Sequence, residues 1–384
     1  MRSLHRKENP LRAFAAVNDV WLMVCCLAAS IYSVVLVYSD AVTSGAGARS
    51  AVVQAIASLA GFGVAFLMSR FEYEDLCRPW PIWTGASVLL VLLTFTPLGL
   101  NVAGTDDTAW LGFPPFVSDP WLTFQPSELL KVAYIITFAK HLTMVQDRLN
   151  RFSTLALLAL HAGAFCGLIF LQGDDGTALI FVCMTLAMLI VAGLSKWLLL
   201  AGAGVVAVAI PIVWNLLPPD KLGRFLALVH VEDYLKTEGW QQAEGLAAMA
   251  EGGLLGVGYM NGNRGSLFAR NNDFVFSIAG EELGFLGALL LLLLLTAILM
   301  LILRNALHAG DDLARLLCVG VLAMLGFQTI INLGMVLRVL PVIGITLPFI
   351  SAGGSSAATV WLSIGLVMSV ARTNRLRRPE SLFH

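Results

Sequence analysis

Asp273 stands immediately before the longest apolar run of the chain, and Glu281 and Glu282 follow just inside it. A carboxylate held where hydrocarbon meets water is costly, so it persists when it is paired, solvated in a cavity, or used. At the water boundary Asp273 can be ionised at neutral pH, which makes it the candidate general base. Asp273 and Glu281 are eight positions apart, about 12 Å of helical rise and roughly 80° of rotation, so both can look into one cavity at different depths. Glu282 points about 100° further round, so at least one of the two glutamates is expected to have a purely structural partner.

Two further clusters carry charge into apolar surroundings. In Phe124-Gln125-Pro126-Ser127-Glu128-Leu129-Leu130-Lys131, Pro126 suits a first helical turn, where its missing N–H costs nothing. Glu128 and Lys131 then share a helix face and can neutralise each other, either as a buried pair that orients helices or as the lining of a polar cavity. Asp174 and Asp175 fall in the short turn Gln172-Gly173-Asp174-Asp175-Gly176-Thr177, where an Asx turn accounts for Asp174 and a share in an external polar site is the other reading. The stretch 341–356 combines Pro341, Pro348, Gly344, Gly353, Gly354, Thr346, Ser351, Ser355 and Ser356 with strongly apolar neighbours. That composition predicts broken or re-entrant backbone, which lipid tolerates only against protein or a water-filled cavity.

The elements that must hold these residues are membrane spans. Of 384 residues 58% are hydrophobic and 13% charged, about half the charge a soluble domain carries. Apolar runs near the roughly 20 residues a spanning helix needs lie at about 17–38, 50–69, 80–100, 126–146, 153–171, 176–195, 197–216, 274–303, 313–337 and 353–371. The expected fold is therefore an all-α polytopic membrane protein of about ten transmembrane helices. It forms one integral domain, 1–384, with a single large extracytoplasmic loop at 217–273.

Ten spans put both ends on one side. The ends carry Arg2, Arg6, Lys7, Arg12, Arg372, Arg375, Arg377 and Arg378, and the loops of that side bring its share to sixteen of the 24 Lys and Arg. Positive-inside logic makes that side cytoplasmic. The opposite loop, 101–125, holds Asp106, Asp107 and Asp119 and no basic residue. The six cysteines lie in or beside apolar segments without Cys-x-x-Cys or histidine at metal spacing, and read as small core residues. The basic head runs into a first span too long for a signal-peptide core, so that span is expected to stay as an anchor.

Within the large loop, 239–251 reads as a short amphipathic helix ending at Gly252-Gly253. The Gly-rich run 256–265 that follows is either an ordinary turn or backbone free to approach a ligand closely.

These motifs together resemble the shape, elongation, division and sporulation (SEDS) family of bacterial cell-wall polymerases, the RodA/FtsW group. Phe124 to Lys131 is similar to the family's Phe-Gln-Pro-Ser-Glu-x-x-Lys, and Gln172, Asp174, Gly176 and Thr177 to its Gln-Pro-Asp-x-Gly-Thr. Glu281-Glu282-Leu283-Gly284 resembles the segment after the catalytic Asp, and Pro348-Phe349-Ile350-Ser351 with Gly353-Gly354-Ser355-Ser356 the last motif. The wording of 341–349 leans toward RodA. Departures gather near the loop: Phe268-Ala269-Arg270-Asn271-Asn272 precede Asp273 where the family reads Pro-Glu-x-His-Thr, and Gly256-Val257-Gly258 stands for Gly-Lys-Gly. Glu244 replaces a Gln, Gly173 a Pro and Ala352 a Tyr.

The resemblance implies a glycosyltransferase of the bacterial cytoplasmic membrane, both termini cytoplasmic, that polymerises lipid II outside it. The implied partner is a class B penicillin-binding protein (a transpeptidase); membrane lipids surround the chain, and no nucleic acid is expected. Asp273 falls on the family's catalytic Asp. Glu128, Lys131, Arg224, Arg264, Arg270, Glu281, Arg338, Ser351 and Ser355 are the candidate substrate contacts, with the arginines placed to stabilise the leaving pyrophosphate. A divalent cation, Mg2+ or Mn2+, could serve in that role, and no ligand spacing decides it. A lipid-linked precursor transporter (flippase) and a catalytically silent scaffold that activates a partner are the alternative readings.

Overall fold

The computed structural model describes residues 19–45, 47–101, 108–114, 116, 122–262 and 272–377. In chain order the main elements are helices α1 (Val20–Thr43), α2 (Arg49–Met68) and α3 (Trp80–Thr94), then strands β1 (Gly99–Leu100), β2 (Trp110–Phe113) and β3 (Leu122–Phe124). Helices α4 (Pro126–Val145), α5 (Phe152–Leu171), α6 (Asp175–Val191) and α7 (Lys196–Trp214) follow, then α8 (Pro219–Val229) and α9 (Trp240–Gly252) in the large loop. The chain closes with α10 (Val275–Glu282), α11 (Gly284–Leu307), α12 (Asp312–Val336) and α13 (Gly354–Arg377).

Every expected span has its helix. Among the described residues seven helices are long and apolar enough to cross a membrane, and α3 and α6 are shorter apolar ones. The remaining span, α4, is 20 residues long and carries Glu128, Lys131 and Lys140. The architecture is all-α and polytopic, with one small addition.

The packing has a centre and a periphery. Helix α12 lies against α4, α6, α11 and α13, and both α12 and α13 are largely buried. Lipid offers no hydrophobic drive for helix association, so small residues that let backbones approach closely matter most. At the α2–α13 contact a Cβ on Gly61 would fall 2.8 Å from Trp361 Cβ, and one on Gly365 would fall 2.8 Å from the Ala65 Cα. By contrast α7 contains no buried residue.

The expected eighth span is two helices, not one. Helix α10 ends at Glu282 and α11 restarts at Gly284, whose φ is +66°. Segment 252–258 runs beside this break and takes up the backbone groups it frees. Val257 N–H donates to Glu281 O at 2.9 Å and Gly258 N–H to Glu282 O at 3.1 Å, while Phe285 N–H donates to Gly253 O at 2.9 Å and Leu286 N–H to Leu254 O at 3.2 Å. A Cβ on Gly256, at φ +85°, would fall 2.1 Å from Glu282 O. The first glycines of the Gly-rich run therefore serve close approach to this chain's own backbone.

The three short strands were not expected. They form an antiparallel sheet in the order β1-β2-β3, with Leu111 opposite both Gly99 and Phe124. Strand β3 runs directly into Gln125 and α4, which fixes where that helix begins. Asp106, Asp107 and Asp119 lie outside the described residues.

Candidate active site

Asp273 sits in the turn that leads into α10, half-buried. Its backbone is held from two sides. Asn332 of α12 donates from Nδ2 to Asp273 O at 2.8 Å and to Ile345 O at 2.7 Å. Ser351 Oγ donates to Asn272 O and accepts from Leu347 N–H at 2.7 Å. The irregular segment 341–353 thus forms the wall against which the turn rests, as its prolines and glycines predict.

That wall also meets the N-terminus of α6. A Cβ on Gly176 would lie 2.7 Å from Ile343 O, and one on Gly344 would lie 3.7 Å from Asp273 Oδ2. Asp174 caps α6 by accepting from Thr177 N–H at 2.8 Å, the expected Asx role. Its second oxygen accepts from Gln125 Nε2 at 3.1 Å, on the residue before α4. One turn further along α4, Lys131 Nζ and Glu128 Oε1 pair at 2.8 Å, both side chains buried.

These charges act on one another. Burial raises the Asp273 carboxyl from 3.8 to about 6, and the Asp174 carboxylate adds to the rise. Asp174 is itself raised, first by burial; its Thr177 bonds and the Lys131 ammonium oppose the rise, and Glu128 adds to it. Asp273, Asp174, Lys131 and Glu128 therefore form one electrostatic neighbourhood. A base that titrates just below neutrality, fixed by its backbone, is suited to taking a proton from a sugar hydroxyl at neutral pH.

Other expected residues are placed differently. Glu281 is fully buried at the far end of α10, while Glu282 accepts from Ser39 Oγ at 2.6–2.7 Å and from Met260 N–H at 3.3 Å. Glu282 thus has structural partners. Ser355 is buried in the first turn of α13. Arg224 is exposed on α8, and Arg338, at φ +61° beyond the end of α12, reaches Ala227 O of α8 at 3.5 Å. Arg264 and Arg270 lie outside the described residues. Among the described residues no group of three or more His, Cys, Asp or Glu is set to hold a metal.

Sequence reasoning passed over three residues. Lys221 pairs with Asp175 and so ties α8 to the mouth of α6. Gln242 of α9 is fully buried and donates to Met335 O and Leu340 O, both at 2.8 Å, bracing the turn after α12. Asn332 of α12 is the third, holding the Asp273 and Ile345 carbonyls. The available signal was an amide inside an apolar helix, with Gln328 one turn before it on the same face.

A family model described as cell cycle protein, FtsW/RodA/SpoVE, matches residues 19–376. The chain belongs to this FtsW/RodA/SpoVE family. It is 30% identical to a probable peptidoglycan glycosyltransferase FtsW of Geobacter metallireducens over 92% of this chain and 94% of that one. It is 31% identical to the stage V sporulation protein E of Bacillus subtilis over 82% and 86%. Among solved structures, a chain of a peptidoglycan synthase complex, described as coordinating polymerization and crosslinking, superposes with a TM-score of 0.77 at 31% identity, covering 93% of this chain and 98% of that one. The rod shape determining protein RodA of Thermus thermophilus superposes with a TM-score of 0.66 at 28% identity, covering 93% and 97%. FtsW names are frequent among these relatives, so the RodA lean of 341–349 carries no weight in placing the chain within the FtsW/RodA/SpoVE family.

Proposed function

We propose that this chain is a peptidoglycan glycosyltransferase that polymerises lipid II at the outer face of the bacterial cytoplasmic membrane, with Asp273 as general base. The observation that carries the reading is Asp273 itself: a carboxylate titrating near 6, its backbone pinned by Asn332, beside the Asp174 cap and the buried Glu128–Lys131 pair.

The chemistry is a single displacement. Asp273 takes the proton of the acceptor sugar hydroxyl, and the freed oxygen electron pair bonds to the anomeric carbon of the donor. The bond from that carbon to the pyrophosphate oxygen breaks, and its electrons leave with the polyprenyl pyrophosphate. Asp273 then returns its proton to water. Fixed cations stabilise the departing charge. Lys221, Arg224 and Arg338, gathered at α8, are the described basic residues on hand for that task.

Both termini face the cytoplasm in this reading, and a class B penicillin-binding protein is the partner, consistent with the likeness to a chain of a peptidoglycan synthase complex. A divalent cation finds no three-ligand cluster among the described residues, so no step is routed through one. Chelation with EDTA followed by Mg2+ add-back tests its involvement.

The deciding experiment uses purified full-length protein in proteoliposomes with labelled lipid II and a transpeptidase partner. Wild type gives glycan polymer, and Asp273→Asn lowers the rate by about 10²–10⁴, the usual worth of a general base. Polymer at the wild-type rate from the Asn variant would remove Asp273 from the mechanism.

A further inference from the structure

The candidate base does not sit on a helix. It lies in a turn between the large loop and α10, and a turn alone does not hold a carboxylate to the fraction of an ångström that proton transfer needs. Something outside the turn must fix it. Asn332 is fully buried near the C-terminal end of α12, and both of its N–H donors are committed: one carbonyl belongs to Asp273, the other to Ile345. Ile345 follows Gly344, where a Cβ would lie 3.7 Å from Asp273 Oδ2, and lies two residues after Ile343, whose carbonyl faces Gly176 in the first turn of α6. A single amide therefore ties the base, its wall and the mouth of α6 to the central helix.

We propose that Asn332 is a positioning residue for the glycosyl transfer: its side-chain amide clamps the Asp273 carbonyl to the 343–345 wall and thereby sets where the carboxylate stands relative to Asp174 and the acceptor hydroxyl. Ser351 is the second strut, acting one residue earlier through Asn272 O and Leu347 N–H. Asn332 touches no reacting atom. The clamp rests on the assignment of Asp273 as base, and its loss frees the turn to move outward, away from Asp174 and toward water.

The test compares Asn332→Leu, which keeps the volume and removes both donors, with wild type in the same proteoliposome assay over a range of pH. Asn332→Leu is expected to lower kcat at least tenfold, to leave KM for lipid II within about twofold, and to move the acid limb of the rate profile to lower pH, because the carboxylate loses its buried, negatively charged surroundings. Ser351→Ala should act in the same direction with a smaller effect, and it carries the test where Asn332→Leu does not yield folded protein. Gln328→Leu, one turn away on the same helix and likewise buried, serves as control and should keep kcat within twofold. Wild-type kcat in Asn332→Leu overturns the clamp, as does a uniform loss at every pH with the limb unmoved, which marks a merely structural role. Asp273→Asn is run alongside: if it polymerises normally, the base assignment fails, and with it the ground of this inference.

Discussion

A carboxyl that titrates near 6 makes a definite claim about rate. The base form of Asp273 predominates above that value and is protonated as pH falls through it, so polymerisation should be level near neutrality and halve at about pH 6. Asp174→Asn keeps a side chain able to cap α6 while removing the negative neighbour. The Asp273 carboxyl then drops, and the acid limb of the initial-rate profile moves to lower pH; an unmoved limb would mean the two carboxylates do not communicate. Glu128 and Lys131 make a different claim. With both side chains buried, removing one partner leaves an uncompensated charge, at a cost of about 3–5 kcal/mol. Glu128→Gln or Lys131→Met alone should therefore lower the melting temperature in detergent more than the double variant does. If the double variant melts normally yet fails to polymerise, the pair serves substrate and not architecture.

At the scale of elements, the break between α10 and α11 decides how the site is built. A continuous helix through Leu283 would carry Glu281 and all of α11 on one rod; the break instead makes α10 a short, wholly buried post with Asp273 at the end away from the break. Segment 252–258 makes the break tolerable by pairing with its exposed backbone. Gly256→Ala would drive a methyl group into Glu282 O and force a side chain onto φ +85°, so a loss of about 1–3 kcal/mol or more is expected. Thermal unfolding of the purified variant measures it, and an unchanged midpoint would mean that the segment yields freely. The short sheet works in the same way on the other flank, delivering Gln125 to Asp174 through β3.

For the whole molecule, the proposed orientation, drawn from ten spans and the distribution of basic residues, can be read in cells. Cysteine introduced at exposed Lys236, between α8 and α9, should react with an impermeant maleimide in intact cells. At exposed Asp147, between α4 and α5, it should react only after the membrane is opened. The reverse pattern would place the candidate site on the cytoplasmic side and end the reading of an external polymerase. The bundle is braced at the end opposite the candidate site too, where Asp19 caps α1 and accepts from Arg304 at 2.7 Å and Asn305 at 2.8 Å of α11.

The sequence by itself determined the spans and the kinds of chemistry available. Hydropathy is a local property, and it placed all ten helices; Pro126 marked a helix start because the first turn is settled locally. The broken nature of 341–353 was likewise written in its prolines and glycines. Tertiary structure alone decided which of these residues meet. Asp174, Asp273 and Lys131 come from three different helices or their mouths, and their proximity follows from how α4, α6 and α12 pack, which no local pattern encodes. The split at Leu283 was hidden because a restart through one glycine leaves the apolar run unbroken. Asn332 was hidden for the related reason that an amide in an apolar helix announces the need for a partner without naming it, and the partner here is a carbonyl brought in from a distant turn.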